Sequence, residues 1–280
     1  METSSAGFAG SEITIYELND LDFILNYLLD EMPDHRQMVI PSDLIGKRRL
    51  MRSLMNVRPA REASEHFLQA QDGELQKQLR EKGTVELDQV QVSATDTRLK
   101  LWQGDITRLK ADAIVNAANS QMLGCFFPLH GCIDNAIHSA AGIQLRLECN
   151  KLMKEQGYPE PVGSAKITKG YNLPSKFIIH TVGPIIGSGG VTVREENQLA
   201  DCYHSCLSLA GERNLKSIAF CCISTGEYRF PNQPAAEIAV RTVREFFDLN
   251  PTPGIESVVF NVFKEVDYLF YSEILQCDRQ

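Results

Sequence analysis

The feature that most constrains this chain is its rhythm after about residue 91. Short apolar runs recur there: AIVNAA (113–118), KFIIHTV (176–182), SIAFCCI (217–223) and SVVFNVF (257–263). Runs of this length bounded by turn residues read as strands, and the continuously apolar ones as strands buried on both faces. A further segment, RLKLWQ (98–103), alternates polar and apolar residues as a half-buried strand does. Longer stretches of helical periodicity separate them. Residues 134–156 read as one helix, or as two joined at Gly142. Residues 195–213 place Leu199, Tyr203, Cys206, Leu207 and Ala210 on one face. A helix opened by Pro234 runs to 248, and a last one covers 266–277. Strands alternating with helices predict an α/β fold with a mixed, largely parallel sheet covered on both faces. In such sheets ligands bind beyond the carboxyl ends of the strands.

The first third of the chain has a different pattern. Residues 1–11 are rich in Ser, Gly and Ala and read as a disordered tail. Residues 12–90 read as a helical extension, which leaves 91–280 as the α/β domain. Leu21, Ile24, Leu25, Leu28 and Leu29 recur at helical spacing until Pro33. A second helix follows Pro41-Ser42-Asp43, with Ser42 or Asp43 as cap, Leu50, Leu54 and Met55 buried, and Arg58-Pro59 as its end. A third carries Phe67, Leu68, Leu75 and Leu79 and stops near Gly83. There is no internal repeat. Most of the net charge of −8 falls in the first 90 residues. That balance argues against a nucleic-acid polymer as partner, because polyanion binding needs clustered Lys and Arg. No apolar run approaches the ~20 residues of a membrane helix, and the N-terminus lacks the basic and apolar regions of a secretory signal. A cytoplasmic protein without a membrane partner is expected. The eight cysteines include an adjacent pair, Cys221 and Cys222, and two on one predicted helix, Cys202 and Cys206. They fit a reducing compartment and packed thiols better than a disulfide framework.

Four loops carry the chemistry, three directly after strands. Gly104-Asp105-Ile106-Thr107 places a carboxylate that either caps a short helix or meets a ligand. Asn116-Ala-Ala-Asn119 carries amides that donate and accept together, which suits sugar hydroxyls or a fixed water and equally closes a turn. Next comes Leu123-Gly-Cys-Phe-Phe-Pro-Leu-His-Gly-Cys132. Thiolate and imidazole are the ligands zinc prefers, and Cys125, His130 and Cys132 bring three within eight residues. No local fourth ligand is evident. Spacing alone leaves an open zinc site, a closed one completed by a distant Cys149 or His138, or two buried thiols beside a surface histidine. Cys149, His138, His180 and His204 themselves read as core or surface residues. Lastly, Ser224-Thr-Gly-Glu-Tyr-Arg-Phe-Pro231 offers successive backbone N–H groups, with Gly226 free to take a positive φ. Such a nest holds phosphate oxygens without a lysine, although the same residues commonly serve as turns and caps.

Taken in order, these segments resemble those of macrodomains. The match runs from Gly-Asp-Ile through Asn-Ala-Ala-Asn and a glycine-containing loop into Asp134-Asn-Ala-Ile-His-Ser-Ala-Ala-Gly142, then to Ser-Thr-Gly-x-Tyr-x-Phe-Pro, over roughly residues 90–277. Where most hydrolytic macrodomains have a run of glycines before the Asp, this chain has the 125–132 segment, which resembles the zinc-containing branch. Leu54-Met-Asn-Val-Arg-Pro59 and Leu79-Arg-Glu-Lys-Gly83 are similar to that branch's N-terminal extension. The resemblance implies a three-layer α/β/α macrodomain preceded by helices, with ADP-ribose as ligand. Asp105 would hold the adenine amino group, with the Ile106 backbone nearby. Ser224, Thr225, Gly226, Glu227 and Tyr228 would wrap the diphosphate and distal ribose, and Asn119 would touch that ribose. The family's residue at position 228 is aromatic and often Phe, so Tyr228 is a mild departure. The implied reaction is removal of mono-ADP-ribose from a modified protein, most naturally at an acidic side chain. Asn119 and Asp134 would be its catalytic residues, Asp134 orienting a water or ribose hydroxyl while also capping the helix at 135. Zn(2+) would sit on Cys125, His130 and Cys132, and two thiolates would moderate its acidity. The alternatives are a non-catalytic ADP-ribose reader and an esterase acting on O-acyl-ADP-ribose.

Overall fold

The expected strands join in one sheet. A computed structural model describes residues 15–250 and 254–277, so the expected tail at 1–11 lies outside the described residues. Three helices come first: α1 (Ile15–Glu31), α2 (Leu44–Val57) and α3 (Glu65–Lys82). Then follow β1 (Gln91–Val92), β2 (Leu99–Gln103), β3 (Ala113–Ala118), α4 (Ile133–Ala141) and α5 (Ile143–Gln156). The chain continues through β4 (Ala165–Lys169), β5 (Phe177–Val182), α6 (Val193–Glu212), β6 (Ser217–Phe220), α7 (Asn232–Leu249), β7 (Ser257–Val262) and α8 (Glu265–Leu275). The sheet order is β1-β2-β7-β6-β3-β5-β4. Its inner pairings are parallel, and β1 and β4 close the two edges antiparallel. This is the three-layer α/β/α macrodomain architecture: α6, α7 and α8 pack side by side, and α4 pairs with α5 and lies on β3.

Local chemistry explains most boundaries. Asp43 caps α2 by accepting from Gly46 N at 2.8 Å, and Gly83, at φ 74°, ends α3. The stretch 134–156 is two helices, because Gly142 adopts φ 99° between them. Four readings change. The run 217–223 leaves the sheet at Phe220; Cys221 and Ile223 are apolar because they are buried beneath the cleft, not because they pair. Helix α7 opens at Asn232 with Pro231 at its cap, two residues before Pro234. The cap of α4 is Cys132, whose Sγ accepts from Asn135 N at 3.4 Å, so Asp134 sits inside the first turn instead of capping it. Strands β1 and β4 escaped the sequence pattern, being a two-residue edge and a lysine-flanked edge.

The helical leader has its own small core of Leu21, Ile24, Leu25, Leu28, Met51, Leu54 and Phe67, joined by Ile143 of α5. Buried Arg58 closes it with a two-pronged contact to Glu31, at 2.6 and 2.9 Å. Helix α2 packs on α4. The segment after α3 belongs to the sheet domain, since Val85 bridges to Leu109 and Val90 enters the main core. None of the eight cysteines is in a disulfide. No helix among the described residues is long and apolar enough to cross a membrane.

Candidate active site

The loops leaving β2, β3, β6 and β7 at their carboxyl ends, together with one face of α2 and α3, enclose a cleft of about 1020 Å³. The residues to which the family resemblance assigns binding, catalytic or metal-ligating roles all line it: Asp105, Ile106, Asn119, Cys125, His130, Cys132, Asp134 and residues 224–228.

At one end lies Asp105. Its Oδ1 accepts from Thr107 N at 3.1 Å and from Thr107 Oγ1 at 2.6 Å, so it does cap the short turn 106–108. Its Oδ2 is 3.3 Å from Lys82 Nζ at the end of α3. Burial raises this carboxyl, but Thr107 and the Lys82 ammonium outweigh it and hold Asp105 below the usual carboxylate range. Phe263, directly after β7, lines the same cleft with 77% of its surface exposed. An exposed flat ring of this kind offers a face on which a planar group can stack.

In the middle, Asp134 is buried at the start of α4. Its Oδ1 accepts from Asn116 Nδ2 at 2.8 Å, and its Oδ2 faces Asn119 Nδ2 at 3.4 Å. Burial pushes Asp134 up to about 6, with Asn116 and the Arg146 guanidinium offsetting only part of the cost. Asn119 also closes its turn, accepting from Gln121 N at 3.0 Å. Asn116 is fully buried and spans Asp134 and His180, whose Nδ1 lies 3.1 Å from the amide nitrogen. That amide nitrogen only donates, so Nδ1 of His180 accepts and Nε2 carries the proton to Thr168 Oγ1 at 2.8 Å. His138, Cys149 and His180 gather in a separate buried group behind Asp134. The distant residues considered as a fourth ligand therefore stay out of the cleft.

Opposite stands the 125–132 loop. The donor atoms of Cys125, His130 and Cys132 all lie within 4.8 Å of one another, with Cys125 Sγ 3.7 Å from His130 Nδ1. Tetrahedral zinc with ordinary bond lengths spaces such donors by about 3.5–3.8 Å. Burial, together with the neighbouring Cys125 and Asp134, pushes the Cys132 thiol up to about 12. A divalent cation reverses that balance by favouring the thiolate. The residues therefore fit zinc, and among the described residues no fourth Cys, His, Asp or Glu joins the group. An open fourth position is the mark of a catalytic site.

Facing it is the 224–228 loop. Ser224 and Arg229 adopt left-handed φ values of 64° and 60°, which curls the main chain between them. Thr225 Oγ1 donates to Cys222 O at 3.1 Å, and Tyr228 O accepts from Ile186 N at 2.9 Å. Ser224 Oγ is buried without a partner among the described residues. It stands 2.0 Å from where a Cβ on Gly183 would be, so only glycine fits there. The two loops approach each other where His130 Nε2 lies 3.5 Å from Glu227 Oε1. Phe263, Lys82 and the leader wall of Met51, Arg52 and Leu79 were not singled out from the sequence as site residues, and Asn116, offered there as a ligand-facing amide, lies behind the cleft and not on its lining. An aromatic residue ending a strand at the carboxyl edge was the one available signal.

Residues 115–239 match the Macro domain family. The chain is 50% identical over 255 residues to a protein-ADP-ribose hydrolase of Treponema medium, covering 90% of this chain and 97% of that protein. It is 47% identical over 260 residues to one of Staphylococcus aureus (strain MRSA252), covering 93% and 96%. Among solved structures, the Trypanosoma brucei macrodomain in complex with ADP-ribose is similar at 32% identity and a TM-score of 0.62, over 80% of this chain and 94% of that one. The Oceanobacillus iheyensis macrodomain with ADP is similar at 40% identity and 0.57, over 64% and 90%. Fold, site and relatives agree: this chain belongs to the macrodomain family.

Proposed function

We propose that the protein is a zinc-dependent hydrolase that removes mono-ADP-ribose from modified protein side chains, acidic ones above all. One observation carries the reading. The 3.5 Å approach of His130 to Glu227 sets three soft metal ligands across the cleft from the curled 224–228 loop, beside Asn119 and Asp134. The relatives named protein-ADP-ribose hydrolase, and the ADP-ribose complex of the trypanosomal macrodomain, support it.

In this reading Asp105 Oδ2 accepts the adenine amino group and Phe263 stacks on the base. Main-chain N–H groups of residues 224–228 hold the diphosphate, as a nest does without a cationic side chain. Tyr228 lies against the distal ribose. Asn119 and Asp134 orient a ribose hydroxyl or the attacking water, which supplies the proximity that hydrolysis of a labile ester needs. Cys125, His130 and Cys132 would hold zinc, which when bound supplies Lewis acidity to the reacting oxygen. Hydrolysis consumes one water, returns ADP-ribose with its hydroxyl, and releases the side-chain carboxylate with a proton.

The test is turnover of proteins carrying ADP-ribose on defined Glu/Asp, Ser and Arg linkages, with and without a chelator. Release from the acidic linkage that a chelator abolishes and zinc restores is the expected result. Full activity after Cys125→Ala plus Cys132→Ala would remove the metal from the mechanism. Binding of ADP-ribose without release above the spontaneous rate would make the chain a reader. Release from O-acyl-ADP-ribose alone would make it a small-molecule esterase.

A further inference from the structure

The metal-ligand loop has little regular structure of its own, yet it is tied down on every side, and many of the ties come from the leader. Leu129, next to His130, adopts φ 56°, a left-handed conformation that is sterically unfavourable for a non-glycine residue. Its N–H donates to Asn56 Oδ1 of α2 at 3.0 Å. Asn56 is 1% exposed, and its Nδ2 donates to Ser139 Oγ of α4 at 2.9 Å. One turn earlier on α2, Arg52 Nη2 donates to the carbonyl of His130 at 3.3 Å and to Asn135 Oδ1 at 2.7 Å. Asn135 in turn donates to Phe127 O at 2.9 Å. At the loop's entry, Arg146 Nε donates to Leu123 O at 2.6 Å, and its Nη1 reaches Met55 O at 3.0 Å and Arg58 O at the end of α2. The Arg146 guanidinium also lies 4.2 Å from the Phe126 ring centroid.

An apolar face on α2 would be enough to cover α4. Burying the Asn56 amide and partly burying the Arg52 guanidinium there instead carries a desolvation cost. What they gain is a hold on main-chain atoms at residues 129 and 130, the backbone on which the ligands hang. We propose, building on the zinc reading above, that the helical leader is the clamp of the metal-ligand loop. Asn56 and Arg52 are its positioning residues, and the leader thereby sets the metal affinity of the site. The leader holds Leu129 in its left-handed turn and the His130 carbonyl in place, so that the His130 ring falls beside Cys125 before any metal arrives. Partners of metal ligands that act at this remove typically change metal affinity about 10–100-fold when lost.

The experiment measures Zn(2+) affinity of the full-length chain by competition with a chromophoric chelator, and the Co(2+) spectrum as a readout of ligand geometry. Asn56→Ala and Arg52→Ala are expected to weaken Zn(2+) binding about 10–100-fold and to alter the Co(2+) spectrum. Asn56→Asp, which keeps an acceptor for the Leu129 N–H, is expected to recover much of the loss. Lys47→Met breaks the 2.6 Å Lys47 to Asp22 pair inside the leader and is expected to leave Zn(2+) affinity unchanged, even where it lowers thermal stability. ADP-ribose affinity of the metal-free Asn56→Ala chain is expected to stay at the wild-type value. Wild-type Zn(2+) affinity in both Asn56→Ala and Arg52→Ala would overturn the clamp and leave the zinc reading standing. An equal loss in Lys47→Met would reduce the leader to packing. Failure of the wild-type chain to bind Zn(2+) would overturn the zinc reading and the clamp with it.

Discussion

Asp134 divides its two oxygens between the two amides of Asn116-Ala-Ala-Asn119, Oδ1 toward the first and Oδ2 toward the second. That division suggests separate tasks: Asn116 fixes the carboxyl from beneath, and Asn119 shares the face open to the cleft. Asp134→Asn keeps the shape and loses the charge. Turnover is expected to fall by roughly 10²–10⁴, the usual range for one general acid–base group, while calorimetric ADP-ribose affinity changes little. Parallel losses in turnover and binding would make Asp134 a binding group only. Phe263→Ala removes the exposed ring beside Asp105. Loss of base stacking, about 1–3 kcal/mol per base, predicts at least several-fold weaker ADP-ribose binding by calorimetry, and an unchanged dissociation constant would place the adenine elsewhere. That Asp105, Asn119, Cys125, His130 and Cys132 meet at one cleft was legible in the sequence because each sits in a short contiguous motif. Phe263 and the bridging role of Asn116 were not. Their meaning comes from neighbours far along the chain, Asp105 in one case and His180 in the other.

At the scale of elements, the 224–228 loop depends on what lies beneath it. Gly183, one residue past β5, gives way to Ser224 Oγ. Gly183→Ala is expected to cost about 1–3 kcal/mol of stability through overpacking, read as a lower urea midpoint, and to weaken ADP-ribose binding by displacing the loop. A stable variant with intact binding would show that the loop shifts without consequence. The buried strands β3, β5 and β7 were readable because burial on both faces leaves an uninterrupted apolar run. Strand β4 was not, since an edge strand with lysines carries no such run, and the early end of β6 was hidden because apolarity records burial and not pairing. The leader's helices were legible from their periodicity, but their contact with the ligand loop was not. Asn56 and Arg52 look like ordinary polar helix residues until α4 is packed against them.

At the scale of the molecule, acid stability should follow the buried histidines. Burial lowers His180 to about 3 and lowers His138 well below its ordinary value. The unfolded chain titrates each near 6.5, so below that pH it binds protons the folded chain refuses, and stability falls as pH drops. Each histidine contributes a slope of up to about 1.4 kcal/mol per pH unit. Asp134, raised to about 6, works in the opposite sense, since below its folded value the native state holds the extra proton. His180→Gln can still accept from Asn116 and donate to Thr168. Urea unfolding of the metal-free chain between pH 7 and 5 should therefore show a shallower acid decline in His180→Gln than in wild type. Identical slopes would mean that His180 titrates normally in the native protein. The sheet order has a further consequence. Strand β2, which leads into Asp105, finds its parallel neighbour only in β7, and Phe263 leaves that same strand. During synthesis the Asp105 end of the cleft therefore stays unbuilt until the ribosome has delivered almost the whole sheet. A nascent chain cannot complete that end of the cleft early, so a ligand that needs both walls has to wait until β7 has paired with β2.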